Sequence, residues 1–254
     1  MALTVDIGLG QSLGRRQRQE DRLALLPNGG APSRFLVLSD GMGGAVGGDV
    51  AAGLIVETVA AQLAAVAVGP AAPAGSALRS AAVSANGALR ARVRDEPELE
   101  GMGGTLVIVQ LADDGLMFFS MGDSPLCLVR AGRCRRLNAD HSVGGMLDAQ
   151  VARGELSAEE AAARRDRNSI VSVLTGGDLR AMRMDETADL VPLAPGDVLV
   201  LGSDGLDTLQ PDQIAQICAA EHPAGQLVAD LLGAVEACDR PRQDNTSAIV
   251  ARFA

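Results

Sequence analysis

Apolar runs of strand length recur from one end of this chain to the other, at residues 4–8, 34–39, 105–111, 116–121, 126–130, 198–202 and 247–253. Each is too short for a core helix and is bounded by turn-forming residues, which is the pattern of buried strands. Between them lie two long Ala-rich stretches of helical character, 49–66 and 76–94, separated by the loop "VGPAAPAGS". Two more helices are expected at 211–220 and 224–238, ahead of the last strand. Asp113-Asp114-Gly115 sits between two apolar runs and fits a tight hairpin, because Asp-Gly accepts the positive φ that such turns need. "LAPGDVLVL" is a second turn-then-strand signal, with Pro195 and Gly196 in the turn. Hairpins together with helices that come in pairs predict an α+β architecture, antiparallel sheets packed as a sandwich with helices outside.

The bulk properties narrow the class. With 254 residues, 47% of them apolar, a sizeable core is affordable, although aromatics at 2% leave it to Ala, Val, Leu and Ile. The longest apolar runs fall well short of a membrane span, and the arginines near the start follow the first apolar run instead of preceding it, as a secretory signal would require. A net charge of −10 argues against a nucleic-acid binder. Cys127, Cys134, Cys218 and Cys238 contain no Cys-x-x-Cys pair and read as reduced thiols of a cytoplasmic protein. One charged stretch, residues 154–169, breaks the rhythm; Ser157 followed by Glu160 fits a capping box and predicts a short exposed helix there.

Two of the apolar runs end alike. "FLVLSDGMGG" carries Asp40 to a strand end and surrounds it with glycine, and "VLVLGSDGLDTL" sets Asp204 in a similar place, again with glycine beside it. "LMFFSMGDS" brings Asp123 to the end of a third strand, whereas Asp244, in "RQDNTSAIVARF", stands just before one begins. In antiparallel sheets the end of one strand and the start of its neighbour share an edge, so four aspartates can gather at one rim. Crowded carboxylates repel unless something positive lies between them, and hard divalent cations take oxygen ligands. Any one Asp-Gly is first of all a turn, as Asp114-Gly115 is; several at one rim point to a metal site.

The motifs, taken in order, resemble the metal-dependent protein phosphatases of type 2C. "RRQRQED" is similar to the family's Arg-x-x-x-Glu-Asp, aligning Arg16, Glu20 and Asp21, and "SDGMGG" to its Asp-Gly-x-Gly-Gly. "GMGGT", "MGDS", "ADHS", "SDGL" and "QDNTS" come after them in register over nearly the whole chain. The resemblance implies one domain over residues 1–254: two central antiparallel sheets flanked by helices on both sides, with a flap at about 143–172. It implies that Asp40 bridges two manganese or magnesium ions, with the Gly41 carbonyl on one and Asp204 and Asp244 completing the other. Asp21 and Glu20 would act through metal-bound waters, Asn245 through hydrogen bonds to the ligands, and Arg16 would grip the substrate phosphate with its planar fork of donors. Asp123 and Asp204 leave a third metal ion open. Arg15 and Arg18 match no role.

The reaction so implied is hydrolysis of phosphoserine or phosphothreonine in proteins, by direct attack of a water or hydroxide shared by two metal ions, opposing Ser/Thr kinases in a bacterial signalling system. "CLVRAGR" fits the Cys-x5-Arg spacing of cysteine phosphatases, but it lacks the histidine before the cysteine and reads as a strand, so the spacing is chance. Three positions depart from the family pattern. Met42 stands where some members carry a histidine that protonates the leaving group, Pro125 where arginine is frequent, and Thr208 where an aspartate is frequent, with Asp207 one position early and expected to point elsewhere. His141 is expected to be structural. Two alternatives accompany the enzyme reading: a pseudophosphatase serving as a binding module, and a phosphatase dedicated to a phosphorylated anti-sigma antagonist. Retention of Asp40, Asp204 and Asp244 favours the enzyme.

Overall fold

Unbroken apolar runs in antiparallel strands need cover on both faces, and the structure supplies it. The computed structural model describes residues 3–27, 34–43, 47–66 and 74–254. In chain order the elements are β1 (Val5–Ser12), β2 (Asp21–Pro27), β3 (Arg34–Met42), α1 (Gly48–Val66), α2 (Ala74–Asp95), β4 (Gly103–Gly104), β5 (Leu106–Leu111), β6 (Gly115–Met121), β7 (Leu126–Arg130) and β8 (Arg133–Arg136). Then come α3 (Val143–Ala152), α4 (Ala158–Ala162), β9 (Asp185–Glu186), β10 (Val191–Pro192), β11 (Val198–Gly202), α5 (Pro211–Cys218), α6 (Ala224–Ala237) and β12 (Thr246–Phe253). One sheet runs β1-β12-β11-β7-β8; the other runs β10-β6-β5-β3-β2, with β4 on β3 and β9 on β6.

Side chains alternate along each strand, so one run feeds two cores. Leu36 and Leu38 of β3 meet Leu199 and Leu201 of β11 and Ile249 of β12 between the sheets. Phe35 and Val37 point the other way, under α1 and α2, into a layer that also holds Ile55, Leu78 and Leu89. Val198, Val200, Ala248 and Val250 lie beneath α5 and α6 with Leu227 and Leu231. The result is four layers, helices outside two antiparallel sheets. The small Ala side chains do the packing on the helices: Ala51, Ala52, Ala81, Ala82 and Ala85 are all buried, which lets the helices lie close to each other and to the sheet.

Register decides which side chains reach the rim. β2 pairs β3 so that Asp21 lies opposite Asp40. β11 and β12 are antiparallel, with Gly202 opposite Ala248, which brings Asp204 just after one strand beside Asp244 just before the other. β1 pairs β12 with Ser12 opposite Thr246, so the loop carrying Arg16 emerges at the same end.

The expected hairpin forms between β5 and β6, but its turn does not use the positive φ expected of Asp114-Gly115; it is closed by the Ala112 N–H donating to the Gly115 carbonyl at 2.8 Å. The expected turn before β11 has Gly196 at φ +89°. The loop expected between α1 and α2 falls largely outside the described residues. Six elements were not anticipated: β2, β8 and α3, and the two-residue strands β4, β9 and β10. The charged stretch contains the expected short exposed helix, α4, and its capping box is present, with the Glu160 N–H donating to Ser157 Oγ at 3.1 Å and the Ser157 N–H to the Glu160 carboxylate at 3.0 Å.

Candidate active site

Both sheets contribute to one cleft of about 220 Å³, lined among others by Arg16, Glu20, Asp40, Gly41, Asp204 and Asp244. These residues come from four separated segments, and the register described above is what joins them. Arg16 forms an ion pair with Asp244 across the cleft. Asp40 sits at the end of β3 with its carboxyl held well above the ordinary range, first by burial and then by the charges of Asp21, Asp204, Asp123 and Asp244. Asp204 is wetted by the cleft yet walled by protein and by neighbouring carboxylates; burial first, and then those charges, push it up to about 7. Burial also raises Glu20, against the pull of Arg16. Asn245 joins the two sides of the site: its Oδ1 accepts from the Glu20 N–H at 2.9 Å and its Nδ2 donates to the Leu13 carbonyl at 3.0 Å.

Beneath the cleft, hydroxyls hold the carboxylates in place. Thr105 clamps Asp40 from both sides, its Oγ1 accepting from the Asp40 N–H and its N–H donating to the Asp40 carbonyl, each at 2.9 Å. Ser124 hydrogen-bonds Thr105 Oγ1 at 2.8 Å. Asp21 is buried, and one of its oxygens accepts from Ser203 Oγ at 2.8 Å and Ser247 Oγ at 2.6 Å, a network that ties one sheet to the other. Burial still outweighs those two donors and raises the Asp21 carboxyl. Two glycines are dictated by close approach. A Cβ on Gly41 would lie 2.0 Å from the Gly48 carbonyl at the start of α1, and one on Gly205 would lie 2.2 Å from the Asn245 carbonyl. Thr105, Ser124, Ser203 and Ser247 were not singled out from the sequence, although each lies inside or beside a recognised motif.

The comparisons with known proteins point the same way. The profile of protein phosphatase 2C matches residues 12–231. The chain belongs to this family. The serine/threonine protein phosphatase PstP of Mycobacterium tuberculosis is 32% identical over 202 residues, covering 76% of this chain and 37% of that protein, so this chain spans only about a third of that curated relative's length. The serine/threonine phosphatase of S. agalactiae superposes with a TM-score of 0.82 at 26% identity, covering 98% of this chain and 99% of that one. The catalytic domain of PstP, solved in complex with two manganese ions, superposes with a TM-score of 0.80 at 27% identity over 99% of each chain.

The donor set fits the hard cations of the phosphatase 2C family. Buried Asp21 Oδ1 and Asp123 Oδ1 have no hydrogen-bond partner, and carboxylates that raise one another's pKa across a cleft call for positive charge between them. Among the described residues no three acidic, histidine or cysteine side chains close on a point as a preformed cage. Ions of this kind keep several waters and take phosphate oxygens, so one or two carboxylates each suffice.

The departures from the family pattern also find their places. Met42 is exposed at the mouth of the cleft. β7 begins directly after Pro125, whose carbonyl accepts from the Gly202 N–H at 3.0 Å. Asp207 corrects an expectation: it does not point elsewhere but lines, with Asp123 and Asp204, a neighbouring cavity of about 340 Å³. The cause is a tight 3-10 turn over Asp204–Thr208, which puts Asp204 and Asp207 on one side. Burial pushes Asp123 and Asp207 each up to about 6. His141 is buried and exchanges hydrogen bonds with Gly122, accepting at Nδ1 from its N–H at 3.3 Å and donating its own N–H to the carbonyl at 3.1 Å. Burial holds its imidazole below the ordinary pKa, so it steadies the Asp123 loop as a neutral ring. Cys127 lies on β7, its thiol driven far above the ordinary range by a hydrogen bond with Cys134 and by burial, which removes it as a nucleophile.

Proposed function

We propose that this chain is a metal-dependent phosphatase acting on phosphoserine or phosphothreonine in proteins. The observation that carries the reading is the convergence of Arg16, Asp40, Asp204 and Asp244, from both sheets, on one cleft. Asp40, with the Gly41 carbonyl beside it, would hold two manganese or magnesium ions, with Asp204 and Asp244 on one of them. Asp21 and Glu20 would contact them through water. Asp123 and Asp204 would hold a third ion. The bound ions supply the Lewis acidity that activates water for direct attack on phosphorus and offsets the phosphate charge.

The chain's own residues do the rest. Thr105 and Ser124 fix the Asp40 backbone, and the two-serine clamp on Asp21 fixes the floor, so the carboxylates are set before substrate arrives. Arg16 is about half exposed and ion-paired with Asp244; it exchanges that partner for the phosphate when substrate binds. With Met42 where an acid could stand, the leaving alkoxide takes its proton from solvent. The flap at 143–172 borders the cleft through Ile170 and contributes to substrate choice. The intact ligand aspartates support enzyme over binding module.

Four free thiols support a reducing, cytoplasmic setting; among the described residues no helix is long and apolar enough to cross a membrane. Hydrolysis of phosphoserine or phosphothreonine in proteins would oppose a Ser/Thr kinase through shared substrates. The test is hydrolysis of a phosphothreonine peptide with chelator, magnesium or manganese. Turnover that needs the metal supports the reading; a folded protein inert under every metal refutes it.

A further inference from the structure

The larger cavity, about 340 Å³, shares Asp204 and Asp244 with the phosphate cleft. Residues that flank the phosphorylated one in a substrate have to lie across such an adjoining space. Its wall carries three arginines, Arg167, Arg240 and Arg242. Arg167 is already committed to Asp148, with both carboxylate oxygens within 2.9 Å. Arg240 donates to the Thr208 carbonyl at 3.2 Å. Among the described residues neither Arg240 nor Arg242 has a carboxylate partner, although the protein carries a net charge of −10.

Their presentation is built, not incidental. The Gln243 N–H donates to the Arg240 carbonyl at 3.1 Å, closing a turn with Pro241 at its second position, where the fixed φ of proline favours such a turn. The end of that turn is bolted down: Gln243 accepts from Thr208 Oγ1 at 2.9 Å and donates to Thr246 Oγ1 at 3.2 Å. Both arginines thus line the cavity from a stiff turn, four and two residues ahead of Asp244. The carboxylates on the same wall do not cancel them. Asp148 is neutralised by Arg167, Asp140 faces Arg136 at 3.6 Å and accepts from the Ser142 N–H at 2.8 Å, and Asp123, Asp204 and Asp244 belong to the cation side. Asp207 stands with that group, its charge adding to those that raise Asp123 and Asp204.

We propose that Arg240 and Arg242 form a subsite for an anionic side chain, a carboxylate or a second phosphate, close to the phosphoresidue being hydrolysed. The subsite rests on the phosphatase reading above and names its substrate class: phosphoproteins modified within acidic or multiply phosphorylated segments. Arginine suits the task because its planar fork meets carboxylate and phosphate oxygens in pairs.

The test uses three phosphothreonine peptides that differ only in the flanks: glutamine, glutamate, or a second phosphothreonine. The wild-type protein with manganese should turn over the acidic peptides with kcat/KM about five-fold or more above the glutamine peptide, mostly through KM, and the advantage should shrink with added salt. In the Arg240→Gln, Arg242→Gln double variant the ratio should fall to near one, while Arg242→Lys retains part of it. An advantage confined to the doubly phosphorylated peptide identifies phosphate as the ligand. Equal turnover of all three by the wild type, or an undiminished ratio in a double variant with an unchanged thermal midpoint, overturns the subsite while leaving the phosphatase reading intact. No turnover of any peptide, or of p-nitrophenyl phosphate, overturns both.

Discussion

Asp40 shows how much a single residue owes to its neighbours. A carboxyl raised by burial and by four other aspartates is unfavourable alone and useful only where cations are to be held. Asp40→Asn keeps the shape and removes the charge, and it should lower metal-dependent kcat by about a hundredfold to a thousandfold with the fold intact, measured on a phosphothreonine peptide. Thr105→Val tests the support. It leaves the buried Asp40 N–H and Ser124 hydroxyl without their partner, so urea melts should show a loss of about 1–3 kcal/mol. At this scale the sequence was legible where chemistry is announced by a motif. Arg16, Glu20, Asp40, Gly41, Asp204, Asp244 and Asn245 do share a cleft. The hydroxyls beneath were not legible, because a buried Ser or Thr resembles a surface one until its partner strand is known.

Among the elements, strand-length apolar runs and Ala-rich helices were readable because each is a local pattern. β2 was not: "DRLALLP" begins with two charged residues, Asp21 buried beneath the cleft and Arg22 donating to the Gln19 and Asp21 carbonyls, which hides the apolar pattern. α3 was missed because "VGGMLDAQVA" carries two glycines in its first turn, which lowers helix propensity. β8, "RCRR", is an edge strand made mostly of charge, a composition that blunts edges. Close packing between elements has its own test. Gly41→Ala would force the end of β3 away from the start of α1, since the new Cβ would lie 2.0 Å from the Gly48 carbonyl. The expected cost is about 1–3 kcal/mol in urea unfolding, with catalysis impaired more than stability because Asp40 is adjacent. Asp207 carries the matching lesson: spacing along the chain misplaced it, since a 3-10 turn does not keep the step of a strand.

For the whole molecule, the carboxylate cluster sets a pH dependence of opposite sign to ordinary acid denaturation. Asp123 and Asp207 stand at about 6 and Asp204 at about 7, above their ordinary value of 3.8. Between those values the folded state binds more protons than the unfolded chain, so its stability falls as pH rises. With chelator present, the thermal midpoint should therefore climb as pH is lowered from 8 towards 5.5. Millimolar manganese should raise the midpoint most at the high end of that range and flatten the curve. A chelated protein that gains stability with rising pH through this window would show that the carboxylates are not crowded as described.

The most direct test of the central claim is a count of bound ions, by calorimetric titration of manganese into chelator-treated protein at pH 7.5, beside the same titration of Asp40→Asn. At least two ions should bind the wild-type protein, with a large loss of affinity at both when Asp40 loses its charge. Binding of a single ion, or two-ion binding indifferent to Asp40, would contradict a bridging role for this aspartate.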